Sequence, residues 1–357
     1  NLDKNLIQNK LTEASNLAEA IFLNVIHKEY FILRKPDPKA LMRKGKINYF
    51  LEIFNEYNFQ GKDSILIFAI DISPIQQRNL ERIYKIKILD KTSLILEIFG
   101  ERALSKIGKI QVELAHLSWQ KSRLVRSWTH LERQRGGFGF LGGPGESQIE
   151  LDKRMINKRI KQLRSLIVKV KKIRDIQYNN RQKKRVPVVS LLGYTNAGKS
   201  SLFNSLTKLN ISAKNKLFET LDTKISYFYL PMTKKAYIND TVGFISDLPT
   251  LLVEAFKSTL DEVIKADLLI HVIDISVSNH EEQKSDVLNV LKQLSIIPNT
   301  LNGPPMIEVI NKVDVDKFDN KKLFKNKKNT FLISAKTGAG IENLKNEIDK
   351  ILYSLTV

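Results

Sequence analysis

Residues 193 to 201 read Gly-Tyr-Thr-Asn-Ala-Gly-Lys-Ser-Ser, which fits the phosphate-loop pattern G-x-x-x-x-G-K-[ST]. Gly193 and Gly198 allow backbone dihedrals that other residues resist. With Tyr194, Thr195, Asn196 and Ala197 between them, the loop's N–H groups would converge on phosphate oxygens at a helix N-terminus. Lys199 is expected to reach the terminal phosphates, and the Ser200 hydroxyl to bind Mg²⁺. The bland alternative is a glycine turn before an ordinary helix. Context favours the loop: the apolar run Val186–Leu192 precedes it and the helix-like Leu202–Leu206 follows. By itself, the loop names neither the base, the reaction nor the partner.

Four further motifs narrow it. Asp240-Thr241-Val242-Gly243 ends a strand-like run. An aspartate there can hold Mg²⁺ through water, and the Gly243 N–H can meet a γ-phosphate. Phe218-Glu219-Thr220-Leu221-Asp222 lies between the first helix and the second strand. Thr220 there could complete the Mg²⁺ shell and sense the γ-phosphate as a switch. Lys199, Thr220 and Gly243 are therefore the expected catalytic groups, with Ser200 and Thr220 as metal ligands. Asn311-Lys312-Val313-Asp314 follows the fifth strand-like run. The Asp314 carboxylate can accept guanine's N1–H and exocyclic amine, a donor pair that adenine lacks. A mismatch there leaves buried polar groups unpaired, at a discrimination of roughly 10⁴. Asn311 can hold the loops and reach the purine edge, and the Lys312 stem can cover the ring. Ser334-Ala335-Lys336 could offer a backbone N–H to guanine O6. Five motifs in this order point to GTP.

These residues need a sheet to place them. Strand-like runs fall at Val186–Leu192, Ile225–Leu230, Ala236–Asp240, Leu268–Asp274, Met306–Asn311 and Thr330–Ser334, and a helix-like Ile341–Leu355 closes the chain. The second and third are close enough for a hairpin. The rest should be parallel with crossover helices, leaving the ligand at the strands' C-terminal edge. Residues 186–357 are thus read as a phosphate-loop α/β domain. Residues 1–105 read as a small α/β domain with parallel pairing, from the helix-like Leu11–Leu23 and Pro74–Tyr84 and the strand-like Ile65–Ile70 and Ile86–Leu89. Arg43–Lys46 reads as a solvated turn.

Residues 106–185 are different. Ile110, Leu114, Leu117, Leu124, Trp128 and Leu131 keep heptad-like spacing, as do Ile149, Ile156, Ile160, Leu163, Ile167 and Val170. Two helices with apolar seams suggest an antiparallel hairpin. Between them, residues 136–145 hold six of the chain's sixteen glycines, which fits an exposed tip. Residues 151–186 carry fourteen cations against Asp152 and Asp175. Beside the tip, Phe138 and Phe140 could stack on bases while the cations neutralise RNA phosphates. A solvated coiled coil with a linker is the plain alternative.

Over its 357 residues the chain carries a net charge of +20, which favours a polyanionic partner, although abundant Lys, Ile and Asn also fit an AT-rich genome. It has no cysteine, so disulfides and thiolate metal sites are excluded. No apolar run approaches the roughly 18 residues of a membrane span. No signal pattern opens the chain, which begins at Asn1 without an initiator Met and is expected to be clipped. The expectation is a cytoplasmic monomer, with membrane association no more than peripheral.

The chain resembles the Ras-like translational GTPases and, more closely, the HflX family. The resemblance rests on Ile88–Phe99, Gly108–Leu114, Trp128–Glu132, Gly143–Gln148, Gly193–Ser200 and Asp240–Phe244, and covers nearly the whole length. It implies a GTPase that binds the large ribosomal subunit and can split ribosomes, notably under stress. It also implies that the N-terminal domain and glycine tip insert towards the peptidyl-transferase region. There are departures: Leu141-Gly142 stands where the family often has an Arg, and many members continue beyond the GTPase domain, whereas this chain ends at Val357. Phe244 occupies the place of a water-orienting Gln, so hydrolysis is expected to be slow until the ribosome completes the site. Alternatively Phe244 only packs, and another group positions water in the free protein. A GTP-gated scaffold for a protein or membrane partner, a ribosome assembly factor and an RNA-remodelling ATPase are the competing readings. Asp314 argues against the last.

Overall fold

The computed structural model describes residues 4–57, 64–128, 148–183, 186–209, 217–219, 221, 223–301, 303–315, 324, 327 and 329–356. The chain divides into two compact units: residues 1–101 with 112–165, and residues 102–111 with 166–357. Its helices are α1 (Lys4–Ala20), α2 (Lys44–Glu56), α3 (Pro74–Tyr84), α4 (Lys91–Arg102), α5 (Lys106–Trp128), α6 (Gln148–Lys183), α7 (Lys199–Thr207), α8 (Thr250–Ile264), α9 (His280–Gln293) and α10 (Ile341–Thr356). Its strands are β1 (Ile65–Ile67), β2 (Lys87–Leu89), β3 (Val188–Gly193), β4 (Lys224–Leu230), β5 (Lys234–Asp240), β6 (Leu268–Asp274), β7 (Met306–Asn311) and β8 (Thr330–Leu332).

In the first unit β1 and β2 pair in parallel, as expected. The start of α3 is fixed by a capping box. The Ser73 hydroxyl accepts the Gln76 N–H, the Gln76 side chain accepts the Ser73 N–H, and Pro74 opens the helix. Arg43, Lys44 and Gly45 are exposed, as expected, but the stretch is not a turn. Residues 44–56 form α2, with Ile47, Phe50 and Ile53 buried at threefold spacing. Lys46 is engaged by Glu29 at 2.8 Å and lies 3.9 Å from the centre of the Tyr49 ring. Along α5 and α6 the apolar seam is what is covered. Leu114, Ile160 and Leu163 are buried, whereas Lys158, Lys161 and Arg164 are exposed. Arg159 joins the two helices with a forked pair on Glu113 at 2.6 and 3.0 Å. The glycine tip, with Phe138 and Phe140, lies outside the described residues.

The second unit is built on a six-stranded sheet in the order β4-β5-β3-β6-β7-β8. Strands β4 and β5 form the expected antiparallel hairpin, and every other pair is parallel. Alternation along β3 feeds two cores. Val189 and Leu191 pack with Phe203 of α7 and Leu344 of α10. Leu192 faces the other way, among Val253 and Leu260 of α8 and Val287 and Leu291 of α9. Full burial of each such side chain contributes about 1.5–3 kcal/mol. This is a Ras-like, mostly parallel α/β layer with helices on both faces, so its central strands are buried on both sides.

One buried group sits awkwardly in this sheet. His271 on β6 is 1% exposed, and its Nδ1 has no hydrogen-bond partner among the described residues. Burial, with Lys284 and Lys199 nearby, pushes its pKa down to about 3. A lowered histidine pKa means the unfolded chain binds the proton first, so stability falls as pH drops below about 6.5. Between pH 7 and pH 5 this residue should cost the wild type about 2 kcal/mol that a His271→Phe variant does not lose. Denaturant unfolding of both at the two pH values checks this. Equal pH losses would contradict a histidine held neutral.

Candidate functional site

The C-terminal ends of β3, β5 and β7 surround a cavity of about 700 Å³. Its lining includes Thr195, Asn196, Gly198, Lys199, Ser200, Phe218, Glu219, Thr241, Gly243, Asn311, Lys312, Asp314, Ala335 and Lys336. The sequence motifs thus converge on one place. Gly193, Tyr194, Ala197, Leu221, Asp240, Val242, Val313 and Ser334 belong to the same segments but are not among its lining residues. Thr220 and Asp222 lie outside the described residues.

The glycines are there because backbones and side chains meet. Gly193 has φ of 149°, and a Cβ on it would stand 2.3 Å from the Val272 carbonyl oxygen. Gly198 has φ of 93°, and its Cβ would fall 2.1 Å from Asn311 Nδ2. That amide is already at work. Asn311 donates to the Ala197 carbonyl at 2.9 Å and accepts the Ala335 N–H at 2.9 Å. Asn311 therefore braces the phosphate loop against the Ser334–Lys336 loop, which leaves its amide less free to read a base edge. A backbone N–H that was a candidate for guanine O6 is also occupied here.

Helix α7 begins at Lys199, so the first-turn N–H groups of the helix face the cavity mouth. The Lys199 ammonium is buried and donates to the Tyr194 and Gly193 carbonyls at 2.8 and 3.2 Å. Burial lowers its pKa to about 8, with Asp240 opposing and Lys312 adding to the shift. Beside it the Ser200 hydroxyl donates to Asp240 Oδ2 at 2.6 Å. Thr241 donates its hydroxyl to the Leu191 carbonyl at 2.6 Å, pinning the end of β5 to β3. Gly243 then passes so close to the loop that a Cβ would meet Thr195 Cα and Cγ2 at 2.8 Å.

Phe244 continues this contact. Its N–H donates to the Gly193 carbonyl at 3.1 Å, and its carbonyl accepts the Thr195 N–H at 2.7 Å. Its ring is 1% exposed and packs in the core with Leu192 and Val253. The side chain is a packing residue. Ser246 is held in turn, its N–H donating to the Tyr194 hydroxyl at 2.7 Å.

Sequence reasoning passed over Asp274 and Ser276. Lys312 has φ of 66° and pairs its ammonium with Asp274 Oδ2 at 2.6 Å. The other Asp274 oxygen accepts the Ser276 N–H at 2.9 Å and its hydroxyl at 2.6 Å. The Lys312 stem is thereby stretched beside the cavity. The signal was available: Asp274 ends a central parallel strand, where ligands gather.

Family models match three consecutive stretches: "GTP-binding GTPase N-terminal" over residues 8–100, "GTP-binding GTPase Middle Region" over 102–181 and "50S ribosome-binding GTPase" over 188–312. GTPase HflX of Magnetococcus marinus is 41% identical over 96% of this chain and 77% of its own. GTPase HflX of Escherichia coli K12 is 43% identical over 87% of this chain and 71% of its own. The crystal structure of the SsGBP and GDP complex shares 26% identity at a TM-score of 0.50, covering 97% of this chain and 96% of that one. Sheet, phosphate loop and relatives together define a P-loop GTPase, which hydrolyses GTP to GDP and phosphate. Within that class, the chain belongs to the HflX family.

The Lys199 pKa makes nucleotide binding pH-dependent. A bound polyphosphate favours the charged ammonium, so binding above the free-state pKa must take up a proton. Affinity for GDP should be flat below about pH 7.5 and weaken about threefold by about pH 8.5. Fluorescent-nucleotide titrations across that interval check it, and an unchanged affinity would contradict the buried, partly neutralised lysine.

Proposed function

We propose that this GTPase works with Mg²⁺ on the large ribosomal subunit, and that its GTP state dissociates or rescues ribosomes under stress. One observation carries the reading. The α6 helix presents Arg154, Lys158, Lys161, Arg164, Lys169 and Lys172 as exposed cations, in a family whose nucleotide-domain model is described as ribosome-binding. Closely spaced phosphates of structured RNA suit such a face, because each neutralised phosphate releases a counterion.

Within the site, Lys199 and the N–H groups at the start of α7 would bind the β- and γ-phosphates. Ser200 with Thr220 would hold the ion, with Asp240 behind Ser200. The hydroxyl and carboxylate already in contact are the hard oxygen donors that Mg²⁺ takes. The ion would supply charge neutralisation between the β- and γ-phosphates. Gly243 would offer its N–H to the γ-phosphate. Asp314 would accept from guanine N1–H and the exocyclic amine, with Lys312 along the ring face. Because the Phe244 ring is committed to the core, it offers no hydrogen bond to an attacking water. Hydrolysis is therefore assigned as slow in the free protein and stimulated on the ribosome.

Single-turnover GTP hydrolysis with and without purified large subunits tests this. The rate should rise by more than about tenfold on the subunit. Cosedimentation with a nonhydrolysable GTP analogue should weaken steeply with salt. Equal rates, with no analogue-dependent cosedimentation, would leave the GTP-gated scaffold as the better reading.

A further inference from the structure

Among the described residues strand β4 is an edge strand, and its outward face is exposed. Ile225, Tyr227 and Tyr229 are 41%, 45% and 65% exposed, at the twofold spacing of one strand face. The intervening Phe228 and Leu230 are buried in the core, so the tyrosines are not needed to build it. Large apolar side chains on an edge are a liability unless something uses them. Tyr227 and Tyr229 touch edge-on, with ring centres 5.6 Å apart. From β5, the Lys235 ammonium sits 4.0 Å from the Tyr227 ring centre and 5.9 Å from that of Tyr237. The outward residues of this ribbon, Ile225, Tyr227, Tyr229, Lys235 and Tyr237, include no carboxylate.

The ribbon is held from behind. Both oxygens of Asp349 on α10 are engaged at the turn, accepting the Met232 N–H at 2.7 Å and the Thr233 N–H at 2.8 Å. Its other end reaches the phosphate loop. Lys224 of β4 pairs in register with Asp240 of β5, whose carboxylate takes the Ser200 hydroxyl.

We propose that Tyr227 and Tyr229, with Lys235, form a stacking platform for unpaired RNA bases, a second RNA contact separate from α6. This deepens the ribosome reading above and rests on it for the source of the RNA. Aromatic faces accept any base, and a cation seated beside them meets the backbone charge. A protein strand could add to the same edge, but the lysine and the absence of acids on this face favour a polyanion.

A short unstructured oligoribonucleotide carrying 4-thiouridine is the probe. Irradiation should cross-link it to the peptide containing residues 225–229, as read by mass spectrometry. Tyr227→Ala with Tyr229→Ala should reduce that cross-link about tenfold or more, whereas the two Tyr→Phe changes keep it. GDP affinity should stay unchanged in all variants, which also reports that they fold. Cross-links confined to α6, or unaffected by the alanines, overturn the proposal. An alanine variant that loses large-subunit binding while the oligonucleotide still cross-links to residues 225–229 as in wild type marks a protein contact and overturns the RNA assignment. If wild type cross-links through the tyrosines but never binds ribosomes, the platform stands and the ribosome reading falls.

Discussion

A buried ammonium governs this site. Lys199 is 6% exposed, lies against two main-chain carbonyls and has its pKa lowered by burial. A cation withdrawn from water is costly unless an anion arrives. The loop that holds it is fixed by neighbours rather than by its own stiffness. Val272 stands against Gly193, Asn311 against Gly198 and Thr195 against Gly243. The geometry that costs the free protein is the geometry a triphosphate would relieve.

The same contacts run outward from the phosphate loop. Phe244 is stitched to the phosphate loop by two main-chain hydrogen bonds, while its ring packs against α8. Helix α8 is in turn clasped by chain that precedes the phosphate loop in sequence. Gln111 donates to the Ala255 carbonyl at 3.2 Å, and Lys171 pairs with Asp261 at 2.8 Å. Lys265, just past α8, pairs with Asp175, and its carbonyl accepts the Tyr178 hydroxyl at 3.4 Å. A shift of the Asp240–Gly243 segment would therefore reach the basic helix through packed and paired groups. Coupling through a continuous, discrete set of contacts is what a nucleotide-gated arm requires.

Much of this was legible because phosphate chemistry is local. A loop of eight residues has to contain its glycines, lysine and hydroxyl in order, and the strand ends had to fall where the motifs stood. What escaped depends on tertiary partners. The charged Arg43–Lys46 stretch reads as a turn until Ile47, Phe50 and Ile53 find a core and make it the start of α2, with Lys46 on Glu29. Asp274 is an ordinary strand-end aspartate until Lys312 reaches it from just past β7. His271 reads as one polar residue in an apolar run, and only the sheet shows it sealed between β3 and β7. Phe244 stands where a hydrogen-bonding side chain could have faced the cavity, and only the fold shows its ring buried in the core.

In the proposed function the nucleotide and the large subunit are two ligands of one coupled device. Linkage makes that coupling reciprocal: whatever factor a GTP analogue adds to subunit affinity, the subunit must return to analogue affinity. The direct measurement is the dissociation constant of the analogue and of GDP, each with and without saturating large subunits. The analogue should tighten by the reciprocal factor while GDP does not. Identical constants with and without subunits, for both nucleotides, would contradict it.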